Sequence, residues 1–222
     1  MKKLIMGFLF CINFTILLSC HSQEYFTRKG YKLTFKSNYA NLDVKLKNRL
    51  IETFFIVYPK LSAEYNLRTN KEVVFFVDTA YKGVAVTYFD GTVVFSSAWM
   101  KEHPEDIDVV THEVMHVVQN YGNSVGPVWL TEGIADYARY KFGIDNEGSK
   151  WTLPDLKPTH HYKNSYRITA RFFVWIENKV KSGSIRLIDQ SLRDHTYNEE
   201  IWKNITGKNL DELWADYTLN PI

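Results

Sequence analysis

Residues His112, Glu113 and His116 stand in the order His-Glu-x-x-His. On a helix, positions i and i+4 lie one turn apart on one face, so both imidazoles can reach a single ion while the glutamate between them points at the same space. Neutral nitrogen donors that leave a coordination position open suit zinc, which lowers the pKa of water to near neutrality. A carboxylate beside that water can carry its proton. The chemistry implied is zinc-assisted hydrolysis, with His112 and His116 as ligands and Glu113 as general base.

A catalytic zinc site needs a third protein ligand. After a loop containing Gly126 and Pro127, the segment Trp129-Leu130-Thr131-Glu132-Gly133-Ile134-Ala135-Asp136-Tyr137 opens a new helix. Glu132 is well placed to complete the set. Asp136, one turn further, can accept the other ring N–H of a ligand histidine and fix its tautomer; it also stands as a rival ligand. Both acids lie among apolar residues, where an unpaired carboxylate is costly.

The elements around the motif must hold it. Tyr31–Lys36 alternates as a half-buried strand, Leu42–Tyr65 carries helical spacing with Pro59 as a break or kink, and Glu72–Asp78 is apolar enough for a central strand. Gly83–Phe89 and Thr92–Ser96 flank Asp90-Gly91, a strong hairpin signal. Pro104 suits a first helical position, with Glu105, Asp106 and Asp108 near the N-terminus and Gly122 closing the helix. Later helices are expected over Tyr162–Lys181 and near Ile185–Leu192, Asn198–Thr206 and Asn209–Tyr217. Tyr166, His160 and His161 are candidate oxyanion stabilisers, and Arg171 is a second candidate for facing the cleft.

The chain of 222 residues, 45% hydrophobic and 15% aromatic, suits one compact domain with a real core. Met1 to Ser19 read as an export signal, with Lys2 and Lys3 before an apolar run. The segment ends Leu17-Leu18-Ser19-Cys20, which resembles a lipobox and implies lipidation of Cys20. Residues 20–30 read as a tether, and residues 31–222 as a single domain. Cys11 lies in the leader, so the mature domain has no disulfide. Loss of Lys2 and Lys3 from a chain of net charge +2 leaves balanced charge, which implies no nucleic-acid partner. One lipid anchor without a second spanning stretch implies an extracytoplasmic domain tethered to a membrane. Oligomeric state is open.

The segment Trp129–Tyr137 resembles the W-L-x-E-G-x-A-x-Y pattern of gluzincin peptidases. From Val109 to Asp216 the chain resembles the basic secretory protein family of plant and bacterial peptidases, through His112–Gln119, Glu132–Arg139, Tyr166–Phe172 and Leu210–Tyr217. The resemblance implies a zincin-like α+β fold. In such a fold a small mixed sheet forms the N-terminal half, followed by the active-site helix and a helical C-terminal half. It implies His112, His116 and Glu132 as Zn2+ ligands, Glu113 as base, and polypeptide as substrate. An edge strand, here in the hairpin of Ala85–Ser96, would bind extended substrate. No G-x-M-E-N segment is present, which favours an endopeptidase. The rival readings are a binding lipoprotein without turnover and a zinc hydrolase of non-peptide amides.

Overall fold

The computed structural model describes residues 22–122 and 126–222. The expected leader and Cys20 lie outside them. Five strands form one mixed sheet in the order β1-β2-β3-β5-β4: β1 (Ser22–Arg28), β2 (Tyr31–Ser37), β3 (Glu72–Asp78), β4 (Ala85–Thr87) and β5 (Thr92–Ser96). Strands β2, β3 and β5 run parallel, with antiparallel β1 and β4 on the two edges. The architecture is α+β, as the element pattern implies.

Helix α1 (Val44–Tyr65) makes the crossover between the parallel strands β2 and β3. Its N-terminus is capped by Asp43, whose carboxylate accepts from the Leu46 N–H at 2.8 Å. The apolar spacing of Leu50, Phe54, Val57 and Leu61 buries one helix face completely. Phe54 meets Phe75 edge-on at 5.5 Å, and Phe75 meets Phe95 at 5.1 Å, so the aromatic core crosses from α1 over β3 to β5. Pro59 lies inside α1, which continues to Tyr65.

Two local expectations are corrected. Residues 22–28 are an edge strand and not a tether. The two-residue turn Lys29-Gly30, with φ of 49° and 82°, returns β1 onto β2, and ion pairs Glu24–Lys47 and Arg28–Glu52 fasten it to α1. Its mixed polar sequence hides it, because an edge strand borrows its partner from elsewhere. The motif helix starts at Val109 and not at Pro104. Helix α2 (Ser97–Glu102) ends first, and α3 spans Val109–Gln119. Asp106 and Asp108 serve as buried acceptors: Asp108 takes the Ile144 and Asp145 N–H groups and the Thr111 hydroxyl, which joins the start of α3 to a distant loop. At the other end Asn120, with φ 42°, adopts the left-handed cap.

Helix α4 (Val128–Phe142) packs on α3 and on α5 (Tyr166–Trp175), which continues through a π-helical turn at Ile176–Val180. Helices α6 (Ser184–Arg193), α7 (Glu200–Thr206) and α8 (Leu210–Leu219) complete the C-terminal half. Gly133 permits the α4–α5 approach, since a Cβ there would sit 2.3 Å from the Thr169 methyl. Among the described residues no helix is long and apolar enough to cross a membrane.

Candidate active site

Helix α3 is buried on nearly every side, and its C-terminal carbonyls are held from three directions. The Asn66 amide donates to the Val118 carbonyl, the Thr69 hydroxyl to that of Val117, and the Arg193 guanidinium to those of Val118 and Gln119. Arg193 is paired in turn with the fully buried Asp189 at 2.5 Å, and Asp189 accepts from the Tyr121 hydroxyl. Burial outweighs these partners and pushes the Asp189 carboxyl up to about 6. The helix carrying the motif is thus pinned before its side chains do any chemistry.

His112, His116 and Glu132 are, among the described residues, the His, Cys, Asp and Glu side chains gathered closely enough to hold a metal ion. The two Nε2 atoms are 3.3 Å apart, and Glu132 Oε2 lies 3.3 Å from the His112 nitrogen and 3.6 Å from the His116 nitrogen. A tetrahedral ion with ligands at about 2.0–2.1 Å separates them by about 3.3–3.4 Å, so the donor set fits zinc in both spacing and type.

Each imidazole is oriented from behind. His112 Nδ1 lies 2.7 Å from Asp136 Oδ1, and His116 Nδ1 lies 2.6 Å from Gln119 Oε1. With Nδ1 turned to these oxygens, both Nε2 atoms face the shared point. Asp136 therefore sits on the far side of His112 and Glu132 on the near side, which separates the two acids that sequence alone leaves as rivals. Gln119 also donates through Nε2 to the Thr131 carbonyl at 2.9 Å, tying His116 to the residue before Glu132. Its sequence signals are its position one turn past His116 and its place at the end of the stretch His112–Gln119.

Charge follows from this packing. Burial pulls the His112 imidazolium down, but Asp136, Glu132 and Glu113 together outweigh it and push the group up to about 10. Burial would raise Glu132, yet hydrogen bonds to His112 and His116 hold it well below the usual carboxylate range. The acids converge on a point that favours positive charge.

Glu113 is 5% exposed, and its Oε2 accepts from the Thr87 hydroxyl of edge strand β4 at 2.8 Å. These groups line one cavity of about 1250 Å³, walled by Tyr81, Trp99, Trp151 and Tyr166. Tyr166 is half-exposed, and its ring lies nearly parallel to that of His112 at 6.2 Å between centres. The charge of Glu132 raises its phenol, which keeps its proton at neutral pH. Two successive positive φ values, 67° at Ser165 and 51° at Tyr166, aim the ring into the cavity at the start of α5.

His160 and His161 are not among the lining residues. His160 accepts the Lys157 N–H, and His161 caps a 3-10 turn (Tyr162–Asn164) beside Trp214. Arg171 likewise points away, to the carbonyls of Leu153 and Ile222 and the carboxylate of Asp155.

The architecture and the site define a mixed α+β protein with a His-His-Glu group set beside a buried glutamate. The sequence matches the family described as peptidase of plants and bacteria over residues 16–217, and the chain belongs to that family. No curated protein matches it. Among solved structures it is similar to an M1 zinc metallopeptidase mutant from Deinococcus radiodurans, at 13% identity and TM-score 0.45, covering 90% of this chain and 48% of that one. A two-domain M1 zinc metallopeptidase mutant bound to L-tryptophan is similar at 13% identity and TM-score 0.42, with the same coverage. The chain spans about half the length of these structures.

Proposed function

We propose that the protein is a zinc-dependent endopeptidase in which His112, His116 and Glu132 hold the metal. The observation that carries this reading is the spacing of 3.3, 3.3 and 3.6 Å among the three donor atoms, with the Glu113 carboxylate facing the same cavity. Zinc bound there supplies a Lewis acid that activates water and polarises the scissile carbonyl.

The chain's own residues do the rest. Asp136 and Gln119 keep the protons of His112 and His116 on Nδ1. Glu113 takes the proton of the attacking water and delivers it to the leaving amine. The Tyr166 phenol, protonated and open to the cavity, donates to the developing oxyanion. An extended polypeptide would pair along β4, the outermost strand at that end of the sheet among the described residues.

The test is zinc content and peptide-library cleavage of the purified protein beside Glu113→Gln. One zinc in both, with cleavage only by the unmodified protein, is the expected result. Zinc in both with no peptide cut would move a binding protein or a non-peptide amidase ahead; no zinc in either would end the metal reading. We further propose lipidation at Cys20 and anchorage outside the cytoplasm, tested by fatty-acid labelling that Cys20→Ser should abolish.

A further inference from the structure

We infer that Thr87, on edge strand β4, is a positioning residue that fixes which oxygen of Glu113 faces the reacting water. The inference rests on the peptidase reading above for its catalytic meaning and on geometry for its structural content. The Thr87 hydroxyl oxygen lies 2.8 Å from Glu113 Oε2 and 2.9 Å from the Glu113 backbone carbonyl. Both atoms are acceptors and the hydroxyl has one proton, so a side chain 26 positions away holds the glutamate by a single donor, given to Oε2 or shared between Oε2 and the main-chain carbonyl. Oε1 has no hydrogen bond among the described residues, and its side chain lines the cavity. The grip on Oε2 makes the two oxygens unlike: one is anchored and one is left for the substrate side.

The hydroxyl itself has little freedom. Thr87 pairs with Val93 in the β4–β5 ladder, and its β-branched side chain is stiff about χ1. Packing of β4 against α3 sets the distance between strand and base. Because β4 is the outer strand of the sheet, the edge that would pair with an extended substrate is also the element that holds the base.

Thr87→Val keeps the shape and removes the hydroxyl, while Thr87→Ser keeps the hydroxyl. A misplacement of about 1 Å at a reacting group can cost on the order of a hundredfold in rate. The expected result is a kcat lowered about 10- to 100-fold in Thr87→Val, with KM and zinc content unchanged, and kcat within about threefold of the unmodified protein in Thr87→Ser. Crystal structures of the zinc-loaded variants give a readout independent of turnover: the Glu113 carboxylate should be rotated in Thr87→Val and in place in Thr87→Ser. An unmoved carboxylate in Thr87→Val overturns the inference even if the protein cuts no peptide. Equal damage from valine and serine, or loss of zinc in Thr87→Val, overturns it in favour of simple strand–helix packing. If the unmodified protein cuts no peptide while the carboxylate moves as expected, the peptidase reading fails and the positioning role stands.

Discussion

Replacing Asp136 by asparagine removes one charge and almost no volume from behind the His112 ring. The carboxylate is 2.7 Å from Nδ1 and its side chain is only 6% exposed, so water does not screen the exchange. Loss of such an outer partner typically weakens metal binding 10- to 100-fold, about 1.4–2.7 kcal/mol. The proton complicates this in a useful way. His112 titrates near 10 because the surrounding acids, Asp136 foremost, overcome the effect of burial. At pH 7 zinc must therefore displace a proton held about three units above ambient pH, a cost of about 4 kcal/mol. Asp136 stabilises that proton as well as the metal, and Asp136→Asn relieves part of the competition. The net loss of affinity should lie near tenfold at pH 7 and grow toward a hundredfold at pH 9. Zinc affinity is read by competition with a chromophoric chelator at both values. Affinity within twofold of the unmodified protein at both pH values, or a loss that shrinks as pH rises, would refute the reasoning.

Three further outcomes follow from the packing and the charges. Gly133→Ala places a Cβ 2.3 Å from the Thr169 methyl and 2.8 Å from its Cβ; overpacking of about 1–3 kcal/mol is set against about 1 kcal/mol of gained helix propensity. Urea unfolding should show a net loss of about 1 kcal/mol, with partial recovery in Gly133→Ala/Thr169→Ser, and a stabilised single variant would contradict the close α4–α5 contact. Arg193→Met leaves Asp189 buried without its ion-pair partner and should cost about 3–5 kcal/mol by the same measurement; a change under about 1 kcal/mol would mean the pair does not pin the end of α3. In excess chelator, the raised His112 pKa contributes stability that is complete below about 6.5 and lost as pH rises toward about 10. The urea midpoint of the metal-free protein should therefore fall across that window, whereas one that rises there would remove His112 as the controlling group.

Sequence alone determined the features that local periodicity carries. The i, i+4 spacing puts His112 and His116 on one helix face whatever else the chain does, and Trp129–Tyr137 marks a second helix with Glu132 and Asp136 one turn apart. Alternation and apolar runs located β2, β3 and the β4–β5 hairpin, because side-chain period and turn chemistry are properties of neighbouring residues. Tertiary structure decided which faces meet. It turned Glu132 toward the Nε2 pair and Asp136 toward Nδ1, a distinction that depends on the rotation of α4 against α3 and on the space left at Gly133. It brought Thr87 to Glu113 and Arg193 to the end of α3, contacts between residues far apart in the chain that no local pattern encodes. It also carried His160 and His161 away from the cavity and recruited residues 22–28 into the sheet. In each case the deciding energy is burial and pairing across elements, which depends on where a side chain ends up and not on its neighbours in sequence.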